Sequence, residues 1–79
     1  MSTMMNIDQE LDTRGLNCPL PILKAKKALT AMQSGQLLKV VSTDKSSLRD
    51  FAAFSKQTGN VLMSQETVGD DFIHVLKRR

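Results

Sequence analysis

One side chain dominates the possible chemistry of this chain. Cys18 is the only cysteine among 79 residues, and it stands directly before Pro19-Leu20-Pro21. The prolines suit the first turn of a helix, where a missing N–H removes no intrahelical bond. Cys18 is therefore expected at or next to a helix N-cap. A thiol there feels the positive end of the helix, and its pKa should fall. Lys24 and Lys27 add positive field from the following turns. A nucleophilic sulfur without a neighbouring base is poorly equipped for acyl transfer. It can attack the outer sulfur of a persulfide and later surrender that sulfur to another thiol, which resembles thiol–disulfide exchange.

The rest of the inventory excludes several classes. One cysteine permits no intramolecular disulfide framework, and one Cys with one His makes a poor metal site. No metal and no organic cofactor are expected. A triad mechanism would rest on the single His74, which reads as a structural residue of a strand. Asp12, Arg14, Asp44, Arg49 and Asp50 show no spacing that marks a carboxylate dyad, and they read as structural ion pairs.

The net charge of +3 is unevenly placed. Residues 1–18 carry a net −2, and residues 19–39 carry a net +4 from Lys24, Lys26, Lys27 and Lys39. On a helical wheel Leu20 and Leu23 share a side with Lys24 and Lys27. Apolar residues among lysines, beside a reactive thiol, suit a protein-docking surface. No apolar run reaches the ~18 residues of a membrane span, and no signal peptide is visible. A lone reduced thiol fits the cytoplasm.

These residues need elements to hold them. Ile7–Asp12 alternates apolar and polar, as a strand with one buried face does. A turn at Gly15 leads to a helix opening at Cys18-Pro19 and ending at Ser34-Gly35. Its core arc holds Ile22, Ala25, Ala28, Leu29 and Met32. Leu37–Ser42 reads as a second strand. Thr43–Ser46 offers caps for a second helix, whose buried face should hold Leu48, Phe51, Ala52, Phe54 and Ser55, with Ser55 bonding a carbonyl one turn back. Gly59 stops it. Val61–Val68 and Phe72–Lys77 form a hairpin around Gly69. The order β-α-β-α-β-β predicts an α/β two-layer sandwich, a mixed four-stranded sheet with both helices on one face. Either Phe72 and Leu76 or Ile73 and Val75 then occupy the opposite sheet face, and the oligomeric state stays open.

The run Leu11-Asp12-Thr13-Arg14-Gly15-Leu16-Asn17-Cys18-Pro19-Leu20-Pro21, continuing to Leu29, resembles the signature of the TusA/SirA-like sulfur-carrier family. Ser42-Thr43-Asp44, Leu48-Arg49-Asp50-Phe51, Phe54 and Gly59 keep the family spacing; Lys45 stands where many members have proline. The resemblance implies a single carrier domain over residues 1–79, with 1–5 as a disordered N-terminus. It implies a persulfide on Cys18, a cysteine desulfurase or rhodanese-like donor, and a downstream acceptor protein. For the best-known member the sulfur ends in thiolated tRNA; other members serve sulfur oxidation, molybdenum-cofactor assembly or selenium metabolism. Two other readings compete. One is a small basic nucleic-acid-binding module, although Trp and Tyr are absent and two of the three Phe belong to the predicted core. The other is a regulatory interaction module in which Cys18 only caps a helix. Neither a stable nucleic-acid complex nor a membrane association is expected.

Overall fold

The computed structural model describes residues 6–79. The N-terminus predicted to be disordered, residues 1–5, lies outside them. The elements follow the predicted order: β1 Gln9–Thr13, α1 Leu20–Ala31, β2 Leu37–Ser42, α2 Ser47–Thr58, β3 Val61–Val68 and β4 Asp71–Lys77. They form one sheet in the order β1-β2-β4-β3. β1 and β2 run parallel, while β4 is antiparallel to both β2 and β3. The last strand thus inserts between the two strands that α2 connects. Both helices cover one face, which gives the predicted two-layer sandwich.

The core lies between sheet and helices. Ala25, Leu29 and Met32 of the α1 side meet Leu38, Val40, Leu76, Phe51 and Phe54, with Leu11, Ile22, Ala28 and Leu62 packed against them. The predicted arc of α1 is the buried one because its residues recur at three- and four-residue steps. Phe51 and Phe54 meet edge to face, with ring centroids 6.2 Å apart. The alternation in β2 is strict: Leu38, Val40 and Ser42 are buried, and Leu37, Lys39 and Val41 are half-buried. Its register places Val40 opposite His74 and Leu38 opposite Leu76. Ile73 and Val75 therefore look to the other face.

Several details differ from the sequence reading. α1 ends at Ala31, with Met32 as its cap, ahead of the predicted end at Ser34-Gly35. β1 begins later, because Asp8 joins β2 through its side chain as well as its backbone: Asp8 Oδ2 accepts the Leu37 N–H at 2.7 Å. The strand then extends to Thr13, which is fully buried and donates from Oγ1 to the Val41 carbonyl at 2.7 Å. On α2, Ala52 is exposed. It sits ~100° round from Phe51, and Ser47 takes the buried place instead. Ser55 does not bond one turn back; its Oγ accepts the Leu62 N–H at 3.1 Å and ties α2 to β3.

Candidate functional site

Cys18 sits in the loop that leaves the carboxyl end of β1, beside the carboxyl end of β2. In open α/β sheets such ends are where sites gather, because loops there are free of the ladder. Gly15 turns the chain with φ +83, and its N–H donates to Thr43 Oγ1 at 2.9 Å. A side chain at that φ is strained, so the turn favours glycine. The Cys18 N–H then donates to Asp44 Oδ2 at 2.8 Å. The cysteine is free and exposed. Pro19 is the N-cap of α1 and Pro21 its second residue, buried against the body of the domain. Cys18 is thus next to the N-cap.

The electrostatics of the thiol run against the sequence expectation. The Cys18 pKa is raised, not lowered. The main cause is a hydrogen bond to the Asp50 carboxylate; partial desolvation and the charges of Asp50 and Asp44 add to it, and Arg49 opposes it. The helix terminus is also a weaker source of positive potential than its position suggests. Its field comes from unpaired N–H groups at the first four positions. Pro19 and Pro21 have none, and Leu20 gives its N–H to the Asn17 carbonyl at 2.9 Å. The same prolines that favour the helix start remove its donors.

Asp44 and Asp50 were legible only as ion-pair candidates, yet Asp44 binds the Cys18 backbone and both carboxylates raise the thiol's pKa. Asp44 Oδ1 accepts the Ser46 N–H at 3.1 Å, and Ser46 Oγ donates to Asp50 Oδ2 at 3.2 Å. Hydrogen bonds from Cys18 and Ser46 hold the Asp44 carboxyl below its usual pKa. The only local signal was the Ser46–Asp50 spacing of four, which also fits an ordinary helix start. Asp12 and Arg14 do form the expected ion pair, at 3.0 Å, and Arg14 approaches Asp71 at 4.0 Å.

The predicted docking residues lie on the outside of α1. Leu20 is 45% exposed and Leu23 53%, and Lys24 and Lys27 are exposed beside them. At three- and four-residue spacing the four share one face with the Cys18 loop at its end. Lys26 faces elsewhere and lines a cavity of about 320 Å³ with Arg78 and Arg79, away from the thiol. A second cavity, of about 340 Å³, opens on the uncovered sheet face around Lys39, Val41 and Ile73. Neither includes Cys18. The thiol stands on a surface, where a partner must supply the enclosing walls.

His74 belongs to the core. It is fully buried and stacks on Phe51 with centroids 4.5 Å apart. Gln65 Nε2 donates both to the Leu48 carbonyl and to His74 Nδ1, at 2.8 and 3.1 Å. Nδ1 is therefore the acceptor, and Nε2–H donates to Ser47 Oγ at 3.0 Å. The ring is neutral and tied to both layers. Among the described residues no group of three or more His, Cys, Asp or Glu could hold a metal ion, and no helix is long and apolar enough to cross a membrane.

Comparison with known proteins agrees on the family. Residues 9–78 match the family described as Sulfurtransferase TusA. Over 75 residues the chain is 57% identical to the sulfur carrier protein TusA of Allochromatium vinosum, covering 95% of this chain and 99% of that protein. It is 46% identical over 71 residues to a putative sulfur carrier protein of Neisseria meningitidis, covering 90% and 96% of the two chains. The crystal structure of a SirA-like protein from Desulfitobacterium hafniense superposes with a TM-score of 0.76 at 21% identity, covering 87% of this chain and 95% of that one. That likeness supports the fold.

Proposed function

Because the chain belongs to the TusA family of sulfur carriers, we propose that Cys18 is the residue that carries the sulfur, as a persulfide. The observation that carries this reading is a single free cysteine, exposed on a loop at the head of a helix face with two uncovered leucines. In loading, Cys18 sulfur attacks the outer sulfur of a donor persulfide. The donor S–S bond breaks, a new S–S bond forms on Cys18, and the donor sulfur leaves as a thiol with the proton that Cys18 gave up. Unloading is the same exchange onto an acceptor thiol. No net oxidant or reductant is consumed, since sulfane sulfur only changes hands.

The donor in this proposal is a cysteine desulfurase or rhodanese-like protein and the acceptor a second protein of a sulfur relay, with tRNA thiolation the destination that the resemblance implies. Leu20 and Leu23 supply apolar contact, and Lys24 and Lys27 steer an acidic partner. One face serves two partners in turn, so weak and fast binding suits it. A thiol that must return to its reduced state after each cycle suits the cytoplasm.

Mass spectrometry after incubation with a desulfurase and free cysteine tests the reading. Wild type should gain an adduct of about 32 Da, the persulfide state of cysteine. Cys18→Ser should gain none. A wild type left unmodified by competent donors of both kinds, or an adduct that survives in Cys18→Ser, contradicts the assignment.

A further inference from the structure

Helix α1 begins beside the Cys18 loop, and its other end borders the cavity of about 320 Å³. The carboxyl ends of both helices and of β4 meet there. No Asp or Glu lines the cavity, whereas Lys26, Arg78 and Arg79 all do. Its frame is fixed by hydrogen bonds. Arg78 Nε donates to the Leu29 carbonyl at 2.8 Å, and its Nη1 to the Arg79 main-chain oxygen at 3.0 Å. The first of these bonds caps α1, whose last turn has no basic residue of its own. Asn60 is buried; its Oδ1 accepts the Arg79 N–H at 3.1 Å, and its Nδ2 donates to Thr58 Oγ1 at 3.0 Å. The Arg79 side chain lies over Gly59, where an added Cβ would stand 3.3 Å from its Cδ. Helix capping accounts for Arg78. It does not account for Lys26 and Arg79, which have no salt-bridge partner among the described residues.

We propose that this cavity is a binding site for the phosphate group of a small molecule, held between Lys26 and Arg79. Two cations without a facing carboxylate suit a group that carries nearly two negative charges at neutral pH, as a phosphate monoester does. The Arg79 guanidinium can offer parallel N–H donors to two phosphate oxygens, and Lys26 adds a point charge on a flexible stem. Gln57 brings a neutral amide to the same wall. Arg78 is already bonded to two main-chain oxygens, so it supplies field and rigidity more than free donors. The volume lies at the low end of ligand pockets, roughly 300–1,000 Å³, which fits a small phosphate ester better than a dinucleotide. A nucleic-acid strand fits poorly, since it needs a groove that follows successive phosphates and aromatic rings for its bases. The one aromatic side chain of the lining, Phe54, is buried in the core. Cys18 is not part of this cavity, so the site goes beyond the carrier reading and stands independently of it.

Titration of the isotope-labelled full-length chain with glycerol phosphate at low salt, followed by amide resonances, tests the site. The amides of Thr30, Thr58, Asn60 and Arg79 should shift and saturate together, and sodium chloride of equal ionic strength should not reproduce the pattern. Lys26→Gln/Arg79→Gln should weaken the binding by roughly tenfold, because charge-assisted bonds to the phosphate are lost. Both side chains are exposed, so the variant should keep the wild-type unfolding midpoint; if it does not, Lys26→Gln alone takes its place, with a smaller loss. Lys24→Gln/Lys27→Gln removes the same charge from the outer face of α1 and should bind as wild type does. Shifts that grow linearly without saturating, or an equal loss in the two double variants, would reduce the effect to net charge and overturn the proposal. So would a single-stranded RNA oligonucleotide that saturates these amides while glycerol phosphate leaves them unmoved.

Discussion

At Cys18 two fields of opposite sign meet, and the nearer one prevails. The helix end acts through dipoles whose N–H groups are largely missing or engaged, while the Asp50 and Asp44 carboxylates push the thiol's pKa up. Asp44 has a different task from Asp50. It accepts the Cys18 and Ser46 N–H groups at once, so it pins the reactive loop to α2. Asp44→Ala should loosen that loop and cost about 1 kcal/mol, the usual net worth of such hydrogen bonds. Amide exchange at Cys18 should quicken, and the urea midpoint should fall slightly. Exchange at Cys18 as slow as in wild type would mean that Asp44 does not anchor the loop.

Helix α1 presents two faces with separate duties. Ala25, Leu29 and Met32 hold it to the sheet, and Leu20, Leu23, Lys24 and Lys27 remain outside. Reversing the two lysines leaves the inner face untouched. Lys24→Glu/Lys27→Glu should keep the wild-type unfolding midpoint within measurement error. It should weaken binding to an acidic desulfurase by roughly tenfold at low salt, with the difference shrinking as salt screens exposed charge. Calorimetric titration at two ionic strengths checks it, and unaltered affinity at low salt would remove the lysines from the interface. This division was legible in the sequence because it depends on a local period of 3.6 residues. So were β2, the hairpin and the stop at Gly59, whose φ of +82 makes it a left-handed cap. What escaped was set by distant partners. The Asp44 contact to Cys18 spans 26 positions, and the later start of β1 depends on Asp8 bonding Leu37 29 positions on. Ala52 misled because a broad apolar arc on a wheel does not say where the sheet stops covering it.

Over the whole molecule, acid should act on the core before it acts on the carboxylates beside Cys18. His74 is the centre of that argument. Burial lowers its pKa from the usual 6.5 to about 4. A second proton on Nδ1 would also point at Gln65 Nε2, which already donates there. As pH falls below about 6.5, the unfolded chain takes up a proton that the native state refuses until about 4. Stability must therefore decline across that window, by up to about 3 kcal/mol for a shift of this size. The carboxylates act next and in the same direction. Asp12, held at about 2 by its bonds from Arg14, and Asp44, lowered by those from Cys18 and Ser46, favour folding at neutral pH. Their contribution is lost as pH drops from their ordinary 3.8 toward the native values. Urea unfolding at about pH 7, 5.5 and 4.5 should show the free energy falling steadily, in the first window where only the histidine titrates. The His74 ring resonances of the native protein should stay those of the neutral form throughout that series. A free energy that is flat from pH 7 to about 4.5, or a native ring that titrates near 6.5, would show that the native core admits the proton after all.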